Sequence, residues 1–174
     1  MKRLASLTSI IAAAVFTVGV MAQGKPNFAG KWTQFDPDPA AAAAGGGGRG
    51  RGGMMGGGWG TTPSITQDAT SLTVEYAGGG QNPTPQKFVI KLDGTESKNA
   101  ARGGESTSKA TWEGSKLVIT TTTPFNNPQS GEAMKIETKR ELSLDASGNL
   151  VIVSTTSGMG NAAPTPVTMK YKKG

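Results

Sequence analysis

The 174-residue chain contains no cysteine and no histidine. Without cysteine there is no disulfide, no thiolate nucleophile and no thiolate metal site, so apolar packing has to hold the fold. Without histidine the commonest general base and the commonest transition-metal ligand are gone. Most hydrolytic triads and zinc sites are thereby excluded. Serine, lysine and carboxylates are present, but in no nucleophile–base spacing and as no catalytic carboxylate pair. The expectation is a protein that is not an enzyme and carries no cofactor. Aromatic residues are few, at 6% of the chain, with only three tryptophans.

What is present begins with a leader. Lys2 and Arg3 precede the uncharged run Leu4 to Met21, and Val20-Met21-Ala22 offers small or modest residues where a signal peptidase reads. Residues 1–22 are expected to be a secretory signal peptide, which places the mature chain outside the cytoplasm, periplasmic or extracellular. The mature chain would start near Gln23, with no stable membrane anchor after cleavage and no cysteine to carry a lipid. Roughly 150 residues remain, enough for one domain with its own core. The net charge of +6 is spread along the sequence. A solvated basic surface accounts for it, and nucleic acid is not an expected partner.

The strongest pattern lies between Thr107 and Thr156. Met134, Ile136, Thr138, Arg140, Leu142 and Leu144 share one parity, while Lys135, Glu137, Lys139, Glu141, Ser143 and Asp145 take the other. Such alternation marks a strand with one buried and one wet face. A hairpin phrase occurs three times, over Ile65–Val74, Trp112–Ile119 and Leu144–Ile152. Each has Asp, Gly or Ser at the turn and a β-branched run after it. Asp93-Gly94 is a further hairpin signal. Lys98 to Ser106 is polar and contains glycine, so it reads as loop. The expected fold class is all-β: an antiparallel up-and-down barrel, or a barrel-like sandwich, of roughly nine or ten strands. Closure is favoured because it removes edge strands that invite aggregation.

One segment breaks the pattern. Residues 23–35 hold the first strand. From residue 36 to residue 60 the chain is mostly Pro, Ala, Gly and Arg, and it reads as a disordered insertion. Five alanines, Ala40 to Ala44, are too short to nucleate a helix. Asp36 and Asp38 lack the further acids a hard cation needs, so no metal site is expected. Arg49-Gly-Arg51-Gly-Gly has the form of a single-strand nucleic-acid binding segment, but its aromatic partners are lacking apart from Trp59. Residues 61–174 complete a single domain. The threonines at 120–123, 155 and 156 follow from β propensity.

Gly30-Lys31-Trp32 in the first strand, followed by a meander of hairpins, resembles the calycin group of lipocalins, fatty-acid-binding proteins and avidins. The pattern also resembles small exported bacterial lipocalin-like proteins without assigned function. The resemblance implies that Trp32 plugs the barrel floor. No helix packs outside the barrel here, which departs from true lipocalins.

Arg140 shares the inward parity of Ile136, Leu142 and Leu144, although a buried charge needs a partner. Three explanations stand open. It stacks on a tryptophan, as a basic residue does on the first-strand tryptophan of lipocalins. A bulge turns it outward. Or it holds the acidic head of a small apolar or amphipathic ligand, with Trp112 and Tyr76 lining the apolar part. Trp112 shares its face with Ala110 and Ser108, so it fills the core by itself or leaves room for a ligand. The functional expectation is an exported barrel that binds a small, partly apolar molecule. The alternative is a non-catalytic structural or protein-interaction domain of the cell envelope with a filled core.

Overall fold

The computed structural model describes residues 24–37, 59–77, 85–101, 104–126, 131–157 and 164–174. The leader and residues 38–58 lie outside the described residues. Ten strands follow in chain order: β1 (Gly30–Pro37), β2 (Ser64–Gln67), β3 (Ser71–Tyr76), β4 (Gln86–Lys91), β5 (Ser97–Ala101), β6 (Gly104–Glu113), β7 (Lys116–Asn126), β8 (Ala133–Leu144), β9 (Leu150–Ser157) and β10 (Val167–Lys173). Among the described residues there is no helix.

The strands form one antiparallel sheet in the order β4-β3-β2-β1-β10-β9-β8-β7-β6-β5. The first strand pairs with the last, with Trp32 opposite Lys173 and Gln34 opposite Tyr171. The sheet curls until β4 and β5 face each other, which makes a nearly closed barrel. The three hairpin phrases are the β2–β3, β6–β7 and β8–β9 pairs. At the β2–β3 turn the Asp68 carboxylate accepts from the Thr70 and Ser71 amides, both at 2.7 Å. It also accepts from both hydroxyls. Those bonds hold its pKa down at about 2, led by the one from the Thr70 amide.

Two expectations change at the seam. Asp93-Gly94 does join β4 to β5, but these strands share no backbone ladder. Lys98 to Ser106 is not a loop: it contains most of β5 and the start of β6. The inward residues Ser97 and Asn99 are buried, and they close the seam in place of backbone groups. Asn99 Oδ1 accepts from the Val89 amide at 2.7 Å, while Asn99 Nδ2 donates to the Val89 carbonyl at 3.0 Å. One amide side chain thus mimics a ladder residue. Ser97 Oγ accepts from the Lys91 amide at 2.8 Å. Polar residues point inward here because the groups they meet are backbone amides and carbonyls.

The core lies toward the end where residues 24–29 cross the barrel. Phe28, fully buried, stacks on Trp112 with ring centroids 6.0 Å apart. The Phe28 carbonyl accepts from the Trp32 indole N–H at 2.9 Å. Gln67 clasps the crossing segment, accepting from the Phe28 amide and donating to the Pro26 carbonyl. Trp32 is buried in this floor, as the lipocalin-like resemblance implies.

The barrel interior as a candidate binding site

In β8, the inward face of Met134 to Leu144 follows the parity of the sequence. The register runs unbroken against β7 from Leu117↔Leu142 to Asn126↔Ala133, and against β9 from Glu137↔Ser157 to Leu144↔Leu150. No bulge turns Arg140 outward. Bulging occurs in β1 instead, between Gln34 and Asp36.

Arg140 is half-buried inside the barrel, with its guanidinium carbon 5.7 Å from the centre of the Trp59 ring. Stacking on a tryptophan is therefore real, but the tryptophan is not the one in the first strand. That one, Trp32, carries Lys173 at 5.7 Å. Desolvation pulls the pKa of Arg140 below its usual value, and the phenols of Tyr76 and Tyr171 pull it back. Burial in turn raises both phenols, Tyr171 to about 12, while the nearby guanidinium opposes the rise. The Tyr171 hydroxyl donates to the Gly60 carbonyl at 3.1 Å. Arg140, Tyr76, Tyr171 and Trp59 thus form one cluster.

Around this cluster the interior is lined with hydroxyls. Pairing sets Ser97 opposite Ser108, Ser108 opposite Thr121, Thr121 opposite Thr138 and Thr138 opposite Thr156. They form one row across five strands. Ser108 and Thr121 share a hydrogen bond of 2.9 Å, and Thr138 and Thr156 one of 3.4 Å. Arg140 and Ser154, paired with each other, lie in the next inward row. Arg140 therefore sits where an apolar floor gives way to a polar upper wall.

Of the residues expected at the site, Arg140 and Tyr76 come together and Trp112 does not join them. Its ring belongs to the floor, stacked on Phe28 with the Lys25 ammonium 5.5 Å from its centre. The other face of Tyr76's surroundings is Phe88, stacked at 6.1 Å. The expected insertion also ends differently. β1 runs on through Pro37, and at the far end Trp59 is only 3% exposed. Its large ring has enough apolar area to offset the ordering of Gly60 beside it. Tyr171 and the hydroxyl row escaped the sequence reading. The parity of Val167, Met169 and Tyr171 could have found the first, and that of Ser108 and Thr121 the second.

A concavity on the outer wall, lined by Glu96, Thr107, Ser108, Lys109, Thr120, Thr122 and Glu137, is open and polar. It holds none of the expected site residues. Among the described residues no group of three acids is placed to bind a metal ion.

No family model matches the chain, and no curated protein matches it. Among solved structures, it is similar to the zebrafish ileal bile acid-binding protein in complex with cholic acid. The TM-score is 0.55 at 20% sequence identity, over 84% of this chain and 98% of that one. The likeness is one of fold: a nearly closed antiparallel barrel of ten strands.

Proposed function

We propose that the protein is an exported, non-catalytic binding barrel that takes a small amphipathic anion into its interior. One observation carries this reading: a guanidinium is held inside the barrel, partly desolvated, between an apolar floor and a wall of hydroxyls. A cation in such a place gains most from a ligand with an acidic head, because charge-assisted bonds strengthen as water is removed. The apolar body would lie over the core side chains and its polar groups would meet the Ser/Thr row. The fold supports the reading, since a barrel of the same architecture holds cholic acid. Export rests on Lys2, Arg3 and the apolar run after them, and the absence of enzymatic activity rests on the lack of histidine and cysteine.

Titration with palmitate and cholate tests it. Micromolar binding to the wild type and at least a tenfold loss in Arg140→Met, with the melting temperature kept, is the expected result. Equal binding by both proteins, or by neither, refutes it. The second reading, a filled-core interaction domain, draws on one observation: Trp59 already stands against Arg140.

A further inference from the structure

The interior place that an amphipathic anion would take is occupied by the protein's own indole. Trp59 is 3% exposed and lies over Arg140. It is not part of any strand. On its C-terminal side the chain is tied to β1 through the backbone: the Gln34 amide donates to the Thr61 carbonyl at 2.8 Å, and the Trp32 amide to the Pro63 carbonyl at 2.9 Å. Between this anchored stretch and Trp59 stands Gly60, with φ at +73°, in the left-handed region that glycine alone visits freely. A Cβ there would meet only ordinary contacts, at 3.8 and 3.9 Å, so backbone conformation rather than crowding calls for glycine. Trp59 is thus a large side chain on a pivot, held by a cation–π contact and by the Tyr171–Gly60 hydrogen bond.

We infer that Trp59 is an internal competitor: it occupies the ligand's place against Arg140, and ligand uptake and Trp59 withdrawal are one exchange about Gly60. The inference rests on the binding reading above. Its physical basis is competition for buried space, because Trp59, 3% exposed, fills the interior beside Arg140 that the ligand would enter. Exchange trades one burial for another, because Trp59 belongs to the apolar core and the ligand's apolar body takes over the area it leaves. Cation–π pairs are weaker than a charge-assisted bond between guanidinium and acid. A competitor that is seated about nine-tenths of the time weakens the apparent affinity about tenfold.

The experiment uses the mature full-length chain and 1-anilinonaphthalene-8-sulfonate as the probe. Trp59→Ala should bind it about tenfold more tightly than wild type. In protein labelled with 5-fluorotryptophan, the Trp59 resonance is assigned by its loss in Trp59→Phe. On saturation with the probe it should move to a solvent-exposed position, while that of Trp32 stays. If the wild type binds the probe through Arg140, yet Trp59→Ala binds no better and the Trp59 resonance does not move, the exchange is refuted and the binding reading survives. If binding is absent, or indifferent to Arg140→Met, both fall together. Should Trp59→Ala fail to fold, the fluorine shift in the unsubstituted protein decides alone.

Discussion

Replacing Asn99 with alanine should loosen the barrel at its one seam without backbone pairing. The substitution removes two hydrogen bonds to Val89, at 2.7 and 3.0 Å, and leaves the Val89 amide and carbonyl facing a gap. Each net bond contributes about 0.5–1.5 kcal/mol, so the pair gives about 1–3 kcal/mol. Water reaching the opened seam keeps the loss near the middle of that range, about 2 kcal/mol. For a domain of roughly 150 residues this lowers the melting temperature by about 4–8 °C. Urea unfolding should show the loss with an unchanged slope. Hydrogen exchange adds a local readout: the Val89 amide should exchange faster, whereas amides in the β7–β8 ladder follow only the global change. Ser97→Ala, which removes one bond to the Lys91 amide, should cost about half as much and couple with Asn99→Ala. A loss below about 0.5 kcal/mol with unaltered Val89 exchange would refute side-chain closure of the seam.

Other outcomes follow from the same geometry. Gly60→Ala should destabilise by about 1–2 kcal/mol through the strain of a left-handed alanine, measured by thermal melting. The Asp68 carboxyl should titrate near pH 2 by NMR. Because its folded pKa lies below the unfolded value, its contribution to stability is present above about pH 4 and fades as the pH falls toward 2. Tyr171 should ionise near pH 12 in ultraviolet titration. Its folded pKa lies above the unfolded one, so stability is kept below about pH 10 and lost as the pH rises through 12. The exported protein should begin at or near Gln23 by mass spectrometry, and an intact Met1 would refute cleavage.

The strands that alternate apolar and polar residues were legible, because one of their faces meets the core and the other meets water. β8 shows this over its whole length, and the parity that turned Arg140 inward was correct. β5 was illegible for the opposite reason. Its inward residues, Ser97 and Asn99, satisfy the backbone of a neighbouring strand, so burial there leaves no apolar mark. Trp59 was hidden by its surroundings: glycine-rich sequence signals high chain entropy, and one ring that overcomes it locally produces no periodicity. Arg140's partners come from β3, β10 and the residues before β2, a convergence that no local pattern encodes. The floor position of Trp112 likewise depends on Phe28, more than eighty positions away.

The pairing of β1 with β10 has a consequence for timing. Trp32 waits for Lys173, and the Gly174 amide donates to the Lys31 carbonyl at 2.9 Å. The first strand therefore cannot find its partner until the tenth has been made, and the barrel cannot close before then. Contacts this distant in sequence make for slow folding, because the loop entropy is lost before the pairing is gained.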